Sequence, residues 1–100
     1  MTTLRVATLN LWGRNGPWPD RLALIRAELG RLVPRLVGLQ EVMGGEPAGT
    51  CQAAEVAEGL GYEVAYSPAA EVGVGVQGNA LLSRLPIREH PLRRCVDLRR

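Results

Sequence analysis

Lysine is absent from this chain of 100 residues; all twelve basic side chains are arginine. No site chemistry requires arginine at every such position, so the bias carries no functional meaning. No apolar run approaches the length of a membrane span, which excludes a transmembrane helix. The N-terminus "MTTLRVATLN" lacks a basic stretch followed by a long apolar one, so no signal peptide is expected and a cytoplasmic setting is the default. There are only two cysteines, Cys51 and Cys95, with neither metal-type spacing nor a small disulfide scaffold around them. Two unpaired thiols are expected. Repeats and low-complexity segments are missing too. What is left is one modest globular domain, since a hundred residues do not support two cores.

Charge is unevenly placed. Residues 1–83 carry six arginines against eight acids, whereas residues 84–100 carry six against Glu89 and Asp97. Such a basic end is either a solvated face or a phosphate-seeking surface. The final "PLRRCVDLRR" has no turn, cap or polar tail, and "CVDL" has the look of a strand beginning. The expectation is that the chain stops inside a domain.

Thr3 to Leu11 predicts a strand whose nearly continuous hydrophobicity suits cover on both faces. The loop "GRNGPWPD" follows. Asp20 is placed to cap a helix reaching about Val33, with Leu22, Ile25, Leu29 and Leu32 in one stripe and Pro34 as the stop. Leu36 to Val42 predicts a second strand. Strand, helix and strand at this spacing form a βαβ unit, so the two strands should run parallel with a right-handed crossover. Thr50 can cap a short helix bearing Ala53, Val56, Ala57 and Leu60 and closed by Gly61. Tyr62 to Tyr66 and "NALLS" (79–83) predict two more strands, with a turn at Pro86.

Two polar residues interrupt the first two strands near their ends: Asn10 in "RVATLNLWG" and Glu41 in "RLVGLQEVM". Parallel strands of a βαβ unit finish at one edge of the sheet, and open α/β sheets place their sites there. A carboxylate beside a carboxamide suits a hard divalent cation that takes oxygen ligands and keeps waters. The amide can also donate to a phosphate oxygen. The alternatives stay open at this level: a strand-end Glu reaching solvent, and an Asn satisfying a turn. Gln40 is read as a buried hydrogen-bonding partner rather than a ligand. Trp12 and Trp18 flank the first loop, lining a cleft or covering the core edge.

"GVGVQG" satisfies G-x-G-x-x-G through Gly73, Gly75 and Gly78. That pattern binds dinucleotides only where it opens a helix, and Pro86 would break such a helix within two turns. Alternating V-G-V-G-V suits an edge strand or hairpin at least as well. A dinucleotide-binding module on these glycines is the alternative function.

Three segments, "VATLNLWG", "LVGLQEV" and "GNALLSRLPI", in this order and at these separations, resemble the N-terminal part of the endonuclease/exonuclease/phosphatase superfamily, whose fold is deoxyribonuclease I-like. The resemblance covers residues 1–100 as roughly the first two-fifths of one such domain. It implies an α/β fold, part of a four-layered α/β/β/α sandwich, left incomplete by this chain. It also implies a metal-dependent phosphoesterase using Mg²⁺, with Mn²⁺ as the alternative. Glu41 matches the family's metal-binding glutamate, and Asn10 the asparagine that helps position metal, phosphate and attacking water. The implied substrates are phosphoesters: nucleic acid, phospholipid head groups or inositol phosphates. No stable protein partner is implied.

The sequence also departs from the family pattern. Arg35 stands where members often have Asp. The family's catalytic histidine in a T-H-L type strand, its G-D-x-N segment and its terminal S-D-H segment are missing, and His90 in "REHPL" matches none of them. In the family Asn79 lies towards the substrate side, but neither it, Ser83 nor Arg84 is assigned a chemical role. The hundred residues are therefore expected to be inactive alone; a non-catalytic half-domain is the remaining alternative.

Overall fold

The apolar runs on either side of the first helix do fold as a parallel pair. The computed structural model describes residues 3–44, 51–72 and 75–87, without the side chains of 70–72. Its elements are β1 (Val6–Asn10), α1 (Trp18–Leu32), β2 (Leu36–Gly44), α2 (Gln52–Ala57), β3 (Glu63–Val72) and β4 (Gly75–Ser83). The four strands make one sheet in the order β1-β2-β4-β3. β1 and β2 are parallel, with Val6 opposite Leu36 and Asn10 opposite Gln40. β4 runs antiparallel to both its neighbours.

The core lies on one face of this sheet. Val37, Leu39 and Val42 of β2 and Ala80 and Leu82 of β4 are buried there with Trp18 and Leu29 of α1 and Ala53, Val56 and Ala57 of α2. α2 lies over β2, β3 and β4, and α1 packs against α2. Burying each of the larger side chains contributes about 1.5–3 kcal/mol, so this face holds the fold together. The expected cover on both faces of β1 is not found. Among the described residues β1 pairs only with β2, as the sheet's edge, and of its side chains only Ala7 packs against the core. Val6 is 63% exposed and Leu9 38%.

α1 starts two residues before Asp20. Pro17 occupies its N-cap position without a side-chain cap bond, and Pro19 sits in the first turn, where a missing N–H is tolerated. Asp20 lies inside that turn, where its charge complements the helix dipole. Val33 takes a left-handed conformation and donates its N–H to the Leu29 carbonyl, closing the helix just before Pro34. Leu22, Ile25 and Leu29 turn inward as the stripe predicts, while Leu32 stays exposed. α2 ends at Ala57, short of Leu60 and Gly61, and its N-cap is Cys51; Thr50 lies outside the described residues. Cys51 is a free thiol.

β3 and β4 are longer than the apolar pattern predicts and form an antiparallel pair from Glu63↔Ser83 to Val72↔Gly75. This pairing decides the glycine motif. Gly75 and Gly78 lie within β4, so no helix N-terminus opens from them to meet a phosphate, and the dinucleotide alternative loses its structural basis. Gly73 lies outside the described residues.

Candidate active site

β1 ends at Asn10, opposite Gln40, which puts Glu41 one step beyond the parallel pair. In an unbroken strand Leu39, Glu41 and Met43 would share the helix-covered face, and a carboxylate would be buried in the apolar core. The structure avoids this with a bulge. Leu39 pairs with Ala80 and Val42 with Gly78, so Gln40 and Glu41 together face the single residue Asn79. Glu41 takes φ +52°, unusual for a side chain other than Gly or Asn. The slip returns Val42 to the core, where it is fully buried, and leaves Glu41 on the site side.

There the two strand-end residues meet. Asn10 Nδ2 donates to Glu41 Oε2 at 2.8 Å, while Asn10 Oδ1 accepts the Trp12 N–H at 2.8 Å. Asn10 thus serves both as a turn residue and as a partner of the carboxylate. Its bonds at both ends set the amide orientation. Gln40 donates to Thr8 Oγ1 at 2.9 Å; it is a hydrogen-bonding partner as expected, but on the exposed side of the strand pair rather than buried.

Around this pair is an open depression of about 200 Å³ lined by Asn10, Gln40, Glu41, Ala69, Gln77, Gly78 and Asn79. A second bulge, between Pro68 and Ala70 of β3, brings Ala69 to its wall. Gly78 lies between the two bulges, and a Cβ there would stand 2.0 Å from the Ser67 carbonyl oxygen. Only glycine allows β3 to come so close.

The loop after β1 is pinned as well. Trp12 (φ +56°) and Gly13 (φ +55°) turn the chain in two successive left-handed steps. Arg21 holds the turn by donating to the carbonyls of Leu11, Gly13 and Asn15 at 2.8, 3.2 and 2.6 Å. Its guanidinium lies 5.7 Å from the Trp12 ring and 5.1 Å from the Trp18 ring. Trp18 is a core residue whose Nε1 donates to Glu55, whereas Trp12 is exposed beside Asn10. Ser83 is buried and exchanges hydrogen bonds with Leu85 in a turn; Arg84 stacks 4.6 Å from the Tyr62 ring. Both are structural, and neither lines the depression. Tyr66 braces the bulged end, its hydroxyl 3.0 Å from the carbonyls of Val42 and Val76; burial pushes its pKa up.

Nothing in the motifs singles out Arg21 or Gln52. A signal for Gln52 does exist: it shares the buried face of α2 with Ala53, Val56 and Ala57, where an amide is out of place unless it has partners. His90, Cys95 and Asp97 lie outside the described residues.

The donor set fits a hard cation. Among the described residues every polar side chain lining the depression is a carboxylate or a carboxamide, and Glu41 Oε1 accepts no hydrogen bond while Oε2 is held by Asn10. One carboxylate with oxygen-bearing neighbours suits Mg²⁺, which keeps several waters. Among the described residues no group of three or more His, Cys, Asp or Glu converges.

A sequence model described as the Endonuclease/Exonuclease/phosphatase family matches residues 7–100. No curated protein matches the chain in sequence. Among solved structures, the chain is similar to an endonuclease/exonuclease/phosphatase family protein from Leptotrichia buccalis, with TM-score 0.78 and 15% identity over 86% of this chain and 40% of that one. An AP endonuclease from Archaeoglobus fulgidus matches with TM-score 0.61 and 22% identity, over 87% and 30%. An endonuclease/exonuclease/phosphatase from Beutenbergia cavernae matches with TM-score 0.55 and 30% identity, over 83% and 26%. The chain therefore spans well under half the length of each. These likenesses place its sheet and helices in the deoxyribonuclease I-like fold, of which they form part.

Proposed function

The chain belongs to the endonuclease/exonuclease/phosphatase family, and on that premise we propose that it forms the front of a metal-dependent phosphoesterase domain with Glu41 and Asn10 in the metal and phosphate site. The observation that carries this reading is the 2.8 Å contact between Asn10 and Glu41, reached across two strands through a bulge in β2.

In this reading Glu41 is the carboxylate ligand for Mg²⁺, with Mn²⁺ as a substitute. The cation would supply Lewis-acid polarisation of the phosphoryl group and neutralise charge developing on its oxygens. The chain's own residues have simpler tasks. Asn10 fixes the Glu41 carboxylate through one Nδ2 hydrogen and has the other to offer a phosphate oxygen. The Trp12 N–H, by bonding Asn10 Oδ1, holds that amide facing the site. Gln77 lines the same depression with a further carboxamide, a group that can recognise a phosphate oxygen without adding charge.

No described residue at the depression is placed to take a proton from an attacking water or give one to a leaving group. Each such group contributes about 10²–10⁴ in rate, so these hundred residues alone are proposed to be inactive, with the acid/base groups supplied by the remainder of a full domain. A phosphodiester in nucleic acid is the first substrate to test. The basic composition of residues 84–100 favours it, and one solved neighbour is an AP endonuclease. A cytoplasmic setting without a stable protein partner completes the proposal.

The test is Glu41→Ala in the full-length protein. Mg²⁺-dependent hydrolysis of an abasic-site duplex and of a generic phosphodiester should fall by about 10³ or more in kcat/KM, beyond the effect of a single acid or base at its lower bound. Near-normal turnover would remove Glu41 from the site.

A further inference from the structure

The bulge that presents Glu41 is held from outside the depression. Gln52, the first residue of α2, is fully buried. Its Oε1 accepts the Met43 N–H at 2.8 Å, and its Nε2 donates to the Gly13 carbonyl at 2.7 Å. Gly13 in turn donates its own N–H to the Glu41 carbonyl at 2.9 Å. One amide therefore ties β2 just beyond the bulge to the loop just beyond β1, and the tied loop residue bonds back to Glu41 itself. Asn10 lies three residues before one anchor point and Glu41 two residues before the other.

A left-handed Glu is strained by about 1–2 kcal/mol, and such a conformation persists only where its surroundings over-determine it. The ring through Gln52, Gly13, Glu41 and Met43 provides that constraint. Burial makes it stringent. With no water to substitute, removing the amide leaves the Met43 N–H without its partner in the interior. The Gly13 carbonyl would still have Arg21, at the longer distance of 3.2 Å. Gln52 touches neither the depression nor Glu41's carboxylate, so any effect on the site must pass through the backbone.

We propose that Gln52 is a positioning residue for the metal site: by clamping Gly13 to Met43 it fixes the Glu41 bulge and thereby sets the affinity for a divalent cation. This rests on the placing of Glu41 as metal ligand.

The test is manganese binding to the full-length protein without substrate, followed by electron paramagnetic resonance, in wild type, Gln52→Met and Glu41→Gln. Methionine keeps the volume of the side chain and removes both hydrogen bonds. Gln52→Met should weaken Mn²⁺ binding about tenfold, the lower end for loss of a residue supporting a ligand, and Glu41→Gln should abolish it. Wild-type affinity in Gln52→Met together with loss in Glu41→Gln would overturn the positioning role and leave the site reading standing. Wild-type affinity in Glu41→Gln would overturn the site reading itself. A second measurement needs no variant. If the clamp strengthens cation binding, the cation must strengthen the clamp by the same factor, so saturating Mg²⁺ should slow amide exchange at Met43 and Gly13 in the wild type. Exchange unchanged by Mg²⁺ would overturn the inference even if Gln52→Met failed to fold.

Discussion

The pairing of β2 with β4 behaves differently at its two ends. From Leu36 to Leu39 each β2 residue has one partner on β4, and the inward side chains, Val37 and Leu39 with Leu82 and Ala80, are almost wholly buried. From Gln40 onward the register slips, Glu41 turns left-handed, β3 carries its own bulge across the way, and amides and a carboxylate stand half-buried at the depression. The regular end satisfies its backbone through the ladder and contributes packing. The bulged end enlists side chains to satisfy its backbone: Gln52 takes the Met43 N–H, and Tyr66 reaches the Val42 carbonyl. The division teaches that one sheet can concentrate stability at one end and hold strained, polar geometry at the other. The irregular stretch is anchored to the packed one, two residues away.

Substitutions at the two ends should sort accordingly. The largest loss of stability is expected at the regular end: Leu82→Ala leaves a cavity and should lower unfolding free energy by about 2–5 kcal/mol in a urea titration of the full-length protein. Activity per folded molecule should be kept. If activity vanishes at full folding, the two ends are not separable. Gly78→Ala, at the boundary, should cost about 1–3 kcal/mol, because the new methyl meets the Ser67 carbonyl at 2.0 Å and β3 must move away. Here catalysis should suffer as well, since the wall carrying Ala69 moves with it. A smaller effect has the opposite sign. Glu41→Gly should be more stable than Glu41→Ala by about 1 kcal/mol, as glycine accepts φ +52° without strain. Both would lack activity. Equal stability would mean that Glu41 is not strained, and the contrast between the two ends would shrink.

The smallest effect belongs to a third region, away from both ends. Burial would raise the Glu55 carboxyl, but hydrogen bonds from Arg14 and Trp18 and the charge of Arg14 outweigh it and hold the pKa below its ordinary 4.5. A folded-state value below the unfolded one gives stability that is full above the unfolded pKa and is lost as pH falls through the folded one. Unfolding free energy should therefore decline as pH drops below 4.5, and Glu55→Gln should flatten that decline by less than about 1 kcal/mol, as suits a part-exposed pair. An unaltered pH profile in Glu55→Gln would assign the acid sensitivity elsewhere.

Much of the fold was legible in the residues. The apolar runs around Ala7 and Val37, the stripe of Leu22, Ile25 and Leu29 and the stop at Pro34 fall where periodicity and breakers put them. At β1 hydrophobicity reported what the strand can bury, and the described residues leave Val6 and Leu9 uncovered. The helix start was misjudged because Pro17 and Pro19 admit a helix that an Asp cap does not begin. At the site, Asn10 and Glu41 stood out as polar residues ending apolar strands. Arg21 did not, because its partners are backbone carbonyls, which leave no residue pattern, and Gln52 showed only as an amide on the apolar face of α2.

By itself the sequence determined that two parallel strands would bring Asn10 and Glu41 to one edge of a sheet, since side-chain periodicity and βαβ connectivity follow from local chemistry. It also argued against a long helix on the glycine motif, through Pro86, and left the dinucleotide alternative for the β3–β4 pairing to decide. Only the tertiary structure decided on which face Glu41 would emerge. A strand with period two places alternate residues by counting, and the count fails at a bulge. Whether a bulge forms depends on contacts between distant segments: the burial of Val42, the close approach at Gly78, and a buried amide on α2 that ties the two strand ends together.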